Sequence, residues 1–284
     1  MTGTDPFRGD IDLWPRDALL AALAQQVDAG VFDTLEGAPI DRFAASDAAA
    51  EAARARADQR APAAIKTPAK MMRAPEPEPA PKVAAGLAAC AHDLPALLAA
   101  VQGFERCALR EGAKSTVFAD GLAGARVMII GEAPGRDEDR EGKPFVGRPG
   151  ALLDRMMAAI GLSRGAADPA EAVYLTNLSP WRPLENRQPS AEEAAMLVPF
   201  LVRHIELARP EFLLLMGSGP WKALMQTDVG ITRARGRWTR WRGIPLMPTF
   251  HPADLLRTPA RKREAWLDLQ RLRAALGGET PPNA

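Results

Sequence analysis

Cysteine is nearly missing from this chain: Cys90 and Cys107 are the only two in 284 residues. Two thiols cannot build a disulfide framework, nor a four-thiolate metal site without other ligands. No apolar run approaches the ~18 residues that a membrane span needs. The first ten residues, Met1 to Asp10, lack the basic start and apolar stretch of a secretion signal, so a cytoplasmic chain is expected. Charge of one sign is lacking too, with 36 Lys and Arg against 35 Asp and Glu, which excludes a uniformly basic nucleic-acid binder. Neither Gly-x-x-x-x-Gly-Lys-Ser/Thr nor Gly-x-Gly-x-x-Gly occurs, so no nucleotide cofactor is indicated. What is present is a 47% hydrophobic composition, ample for the core of one generous domain or two small ones.

Residues 62 to 81 carry Pro62, Pro68, Pro75, Pro77, Pro79 and Pro81 among Ala, Lys and Glu. This composition reads as an extended linker over 61–85. Ahead of it lies an arm, 1–60, in which Leu19, Leu20, Leu23 and Val27 fall at helical spacing. An Ala-rich run over 44–58 reads as a weaker helix. With 10 basic and 13 acidic residues up to position 85, the arm is mildly acidic and poorly suited to gripping DNA. It is either a dispensable tail or a helix that binds a protein partner.

From 86 to 278 the pattern changes, leaving a tail at 279–284. Four short runs of strand formers, Arg126 to Ile130, Val173 to Thr176, Phe212 to Met216 and Ile244 to Phe250, alternate with helical patterns at Ala151 to Ile160, Ala191 to Leu207, Pro220 to Met225 and 261–276. Ser190 followed by Glu193 is a capping-box signal for the second helix. The alternation predicts a three-layer α/β/α fold around a four-stranded parallel sheet. Ligands of such sheets bind at the carboxyl ends of the strands. There stand Gly131-Glu132-Ala133-Pro134-Gly135, then Asn177 with Trp181-Arg182-Pro183, then Gly217-Ser218-Gly219, and last His251-Pro252.

Taken with Asp137-Glu138-Asp139, Gly142-Lys143-Pro144-Phe145-Val146-Gly147, Leu152-Leu153-Asp154, Asn186-Arg187 and Leu255-Leu256-Arg257, these motifs resemble the uracil-DNA glycosylase superfamily, specifically its family 4. The resemblance covers roughly residues 94 to 276. It implies a monomeric DNA-repair enzyme that flips deoxyuridine out of DNA and hydrolyses its N-glycosidic bond; a non-catalytic DNA-binding protein on the same fold is the alternative. It also implies an iron-sulfur cluster on four Cys, and at the corresponding positions this chain has Phe104, Cys107, Trp181 and Leu197. One thiolate cannot hold a cluster that needs four. The cluster is therefore expected to be absent, with the three apolar residues packed around Cys107 in its place and no other metal site.

The resemblance further assigns roles. His251 donates to the uracil O2, and Glu132 positions the water or stabilises the sugar cation, with Glu138 and Asn186 as second candidates for holding that water. Asn177 has the chemistry to read uracil, accepting from N3–H while donating to O4. Phe145 stacks on the base, Ala133 lines its site, and Glu138 is placed to crowd the thymine methyl. Leu255 and Leu256 are expected to wedge into the vacated stack. Arg257, Arg182, Arg187, Arg235 and Arg237 are expected to meet DNA. The last two belong to a run, 226–263, with nine Lys or Arg against two Asp, which reads equally as a solvated hairpin.

Overall fold

The computed structural model of the protein describes residues 15–28 and 78–282. They divide between two units, Met1–Ala74 and Pro75–Ala284. In the first, helix α1 (Arg16–Asp28) covers the Leu19 to Val27 pattern, and Leu20 is more than half exposed on it. The Ala-rich run at 44–58 and most of the Pro-rich stretch lie outside the described residues.

The second unit opens with α2 (Ala80–Cys90) and α3 (Leu94–Gln102). The expected linker to residue 85 is thus too long, since Ala84 is fully buried within α2. The reason is local: Pro79 and Pro81 sit at the cap and first turn of α2, where a missing N–H costs nothing. The strands are β1 (Asp120–Gly121), β2 (Val127–Gly131), β3 (Val173–Asn177), β4 (Phe212–Met216), β5 (Thr239–Trp241) and β6 (Ile244–Thr249). The remaining helices are α4 (Arg136–Glu141), α5 (Gly147–Ala158), α6 (Ala191–Ala208), α7 (Ser218–Met225), α8 (Ile231–Ala234), α9 (Pro252–Arg257) and α10 (Lys262–Leu276).

The sheet has six strands in the order β1-β3-β2-β4-β6-β5, not four. The four expected strands form its parallel centre, and two very short strands pair antiparallel at the edges. Strands of two and three residues carry too little periodicity to be read in advance. The central strands are continuous apolar runs because helices cover both faces. On one face Val127, Ile129, Leu175 and Leu214 meet Leu153 and Met157 of α5 and Leu269 and Leu272 of α10. On the other, Met128, Ile130, Leu213 and Leu215 meet Leu201 and Ile205 of α6 and Leu224 of α7. The Ser190–Glu193 box caps α6, with Glu193 N donating to Ser190 Oγ at 3.1 Å and Ser190 N to Glu193 Oε2 at 2.7 Å.

One buried carboxylate ties the β5–β6 hairpin region to α10. Asp268 is fully buried and accepts from Thr249 Oγ1 at 2.7 Å and from Arg235, whose Nε lies 2.9 Å from Oδ2. Burial raises the Asp268 carboxyl, and the Arg235 and Thr249 bonds oppose this. Removing the acid strands a nearly buried guanidinium, so Asp268→Ala should lower unfolding free energy by about 3 kcal/mol in urea titrations. A loss below about 0.5 kcal/mol would show that the pair is not structural.

Candidate active site

The carboxyl ends of β2, β3, β4 and β6 open on one pocket of about 290 Å³. Its wall includes Glu132, Ala133, Glu138, Phe145, Asn177, Asn186, Arg187, Ser218, His251 and Arg257. Seven substrate and catalytic candidates far apart in sequence therefore share one cavity. Gly131 makes this possible, because a Cβ there would overlap Asn177 Oδ1 and lie 2.6 Å from Phe145 Cζ.

His251 caps α9, its Nδ1 accepting from Ala253 N at 3.2 Å. An accepting Nδ1 places the proton of the neutral ring on Nε2, which leaves a donor for the pocket. Burial pushes the imidazole down to about 4, so at neutral pH it is uncharged. The ring lies nearly parallel to Phe145, with centroids 5.6 Å apart. Across the pocket, Glu132 Oε2 accepts from Gly219 N, the second residue of α7, at 3.3 Å and from Gln188 Nε2 at 3.4 Å. Burial raises the Glu132 carboxyl above its usual range, and the Gly219 bond works against that. Among the described residues no hydrogen bond engages the Asn177 side chain, which is free to pair with a ligand.

Several assignments change character in three dimensions. Glu138 Oε2 accepts from Gly135 N at 2.9 Å, closing the first turn of α4 while lining the pocket. Asn186 Oδ1 accepts from Arg182 Nε at 2.9 Å. Arg187 forms a bidentate pair with Glu193, both bonds 2.7 Å, and Arg257 is paired with Asp254. Leu255 is buried with Phe250 and Ala265, so of the two expected wedges only Leu256 reaches the surface. Arg235, expected on a phosphate, is turned onto Asp268 and the Phe250 ring instead. Arg237 is exposed but sits in a different hollow, beside Trp238, Arg271 and the C-terminal residues. Within the basic run Arg242 pairs with Glu206 over the Trp241 ring and Trp238 and Trp241 are buried, while Arg233, Arg237, Arg240, Lys262 and Arg263 stay exposed. Gln188 and Arg164 were missed because each acts through a partner more than eighteen residues away, which no local motif reveals; Gly219 was singled out in its turn, but not its bond to Glu132.

A profile of the uracil DNA glycosylase superfamily matches residues 118–270, more than half of the chain. The chain belongs to the uracil-DNA glycosylase superfamily. It is similar to the type-4 uracil-DNA glycosylase of Saccharolobus solfataricus, with 36% identity over 188 residues, 63% of this chain and 84% of the relative. The Pyrobaculum aerophilum type-4 enzyme is 34% identical over 62% of this chain and 91% of its own. For the Thermotoga maritima type-4 enzyme the figures are 36%, 53% and 77%.

Within this superfamily the type-4 resemblance implies an iron-sulfur cluster, and the residues here do not fit one. Phe104, Cys107, Trp181 and Leu197 are all buried in one apolar cluster with Phe200, Leu97 and Val101. Phe104 meets Phe200 edge to face at 5.3 Å. Burial raises the Cys107 thiol, which disfavours the thiolate a metal requires. Cys90 is exposed on α2 and is not in that cluster.

The state of His251 is directly measurable. Its ring resonances in an NMR titration should stay those of a neutral imidazole from pH 8 down to about 5.5, protonating only near pH 4. A midpoint near 6.5 would contradict the buried, Ala253-bound geometry.

Proposed function

We propose that this chain is a uracil-DNA glycosylase that starts DNA repair by hydrolysing deoxyuridine to free uracil and an abasic site. The observation that carries the reading is the convergence of a neutral donor, a base-reading amide, an aromatic face and a carboxylate on one pocket. The C1′–N1 bond breaks with its electron pair passing to the base, where charge develops on O2. His251 Nε2–H is preorganised to meet that charge, and as a neutral donor it pays no ionisation cost in a buried site. The sugar becomes cation-like; a water oxygen bonds C1′, and one of its protons passes to the Glu132 carboxylate and from there through solvent to the uracil anion, which is released as neutral uracil. Glu132 also faces the developing positive charge across the pocket.

Asn177 selects the base. Uracil satisfies both halves of its amide, whereas cytosine presents the opposite donor–acceptor pattern and leaves both unpaired. Glu138, held by Gly135, stands where the C5 methyl of thymine would press. Flipping the base costs a few kcal/mol of stacking and pairing, offset in part by Leu256 filling the gap and Arg257 beside it meeting a phosphate. Arg182 and Arg187, on the loop after Trp181, approach the same strand. No step passes through a cluster or other cofactor. The protein acts as a monomer on uracil-containing DNA in the cytoplasm, and the reaction belongs to the unit that begins near α2.

A labelled oligonucleotide with one uracil, treated with the protein and then with alkali, should be cleaved at that position. His251→Ala and Asn177→Ala should each lower kcat by more than about tenfold, or ~1.4 kcal/mol on the barrier. Binding without cleavage by the unaltered protein, or unchanged rates in both variants, would refute the reading.

A further inference from the structure

Phe145 stands in an unusual backbone state. Its φ is 53°, in the left-handed region that bulky side chains avoid. Its carbonyl is turned against Gly150, where a Cβ would overlap both the Phe145 oxygen and its carbon. Such a conformation persists only when the surroundings over-determine it. The group that does so lies outside every motif read from the sequence. Arg164, in the loop between α5 and β3, sends Nη2 to the Phe145 carbonyl at 2.9 Å and Nη1 to the Pro144 carbonyl at 3.1 Å. Its own orientation is fixed by two carboxylates: Nε donates to Asp154 Oδ1 of α5 at 2.8 Å, and Nη1 to Asp120 Oδ2 of β1 at 3.0 Å. The side chain is 18% exposed; its bonds to Asp120, Pro144 and Phe145 are part-buried, and the one to Asp154 lies at the surface.

We propose that Arg164 is a positioning residue for the reaction, holding the Pro144-Phe145 backbone so that the Phe145 ring presents its face to the flipped base. The inference rests on the stacking role given to Phe145 above. A guanidinium suits the task because its rigid fork reaches two successive carbonyls and two acids at once. An ammonium, a single point of charge, cannot span all four. With Asp154 and Asp120 balancing its charge, Arg164 is occupied within the protein and has no part in gripping phosphates. Its influence therefore falls on the base and not on the DNA backbone.

The test compares Arg164→Gln, Arg164→Lys and Phe145→Ala in the full chain. Three quantities are read: the inhibition constant of free uracil, kcat/KM on a uracil-containing oligonucleotide, and the Kd for the same oligonucleotide without uracil. Arg164→Gln should raise the uracil inhibition constant and lower kcat/KM, each by about tenfold, the loss expected when one stacking partner is misplaced. The Kd for uracil-free DNA should stay within about twofold, and Arg164→Lys should recover only part of the loss. If Arg164→Gln does not fold, Asp154→Asn, which removes one exposed partner, should shift uracil inhibition the same way by a smaller factor. A lowered melting temperature with unchanged uracil inhibition and unchanged kcat/KM would overturn the proposal and leave Arg164 a purely structural residue. The Phe145→Ala control separates the two ideas. If it weakens uracil inhibition while the Arg164 variants do not, only the Arg164 assignment falls; if it has no effect, the stacking role fails and the Arg164 assignment falls with it.

Discussion

The loop that closes the pocket hangs from an apolar contact among distant segments. Phe104 and Cys107 come from the stretch after α3, Trp181 from the stretch after β3, and Leu197 and Phe200 from α6, and all are buried together. Trp181 is the pivot. Its indole donates to Thr116 Oγ1 at 3.2 Å, its carbonyl accepts from Ser179 Oγ at 2.8 Å, and the Pro180 carbonyl beside it accepts from Val117 N at 2.8 Å. The next residues, Arg182 to Gln188, reach the pocket carrying Asn186, Arg187 and Gln188. Burying side chains of this size holds the region together, since each large apolar residue contributes about 1.5–3 kcal/mol.

From that anchored rim the chemistry follows from burial. A pocket walled by Phe145, Pro134 and Pro149 keeps His251 uncharged and raises Glu132. The same desolvation thus acts in opposite chemical senses: it favours the neutral imidazole as donor and makes the carboxylate more ready to take a proton. A carboxylate inclined to accept a proton is the better base, and its anionic form is kept in place by the first turn of α7 and by Gln188. Gly131 and Gly219 each leave space that a side chain would take from Asn177, Phe145 or Glu132.

Much of the fold was legible in advance. The four central strands were found to within a residue, since a buried parallel strand is a short apolar run ending in a Gly or polar turn. The pocket residues were legible for the same reason: Glu132, Asn177 and His251 each directly follow or end such a run. What failed was anything decided by a distant partner. Arg235 looked like a phosphate ligand among other arginines, and only Asp268, thirty-three residues on, gives it another task. Leu255 and Leu256 are indistinguishable in sequence, yet one faces Phe250 and the other the surface. Pro79 and Pro81 resembled their neighbours in a Pro-rich stretch until α2 packed on α6.

Packing, not a metal, is proposed to support the uracil-excision site. This is tested most directly by measuring iron and turnover on one sample of purified protein. Colourless protein holding well under one iron per chain is expected to excise uracil fully from an oligonucleotide, with no loss on exposure to a strong chelator. Stoichiometric iron, a brown colour, or activity that disappears with the metal would contradict it.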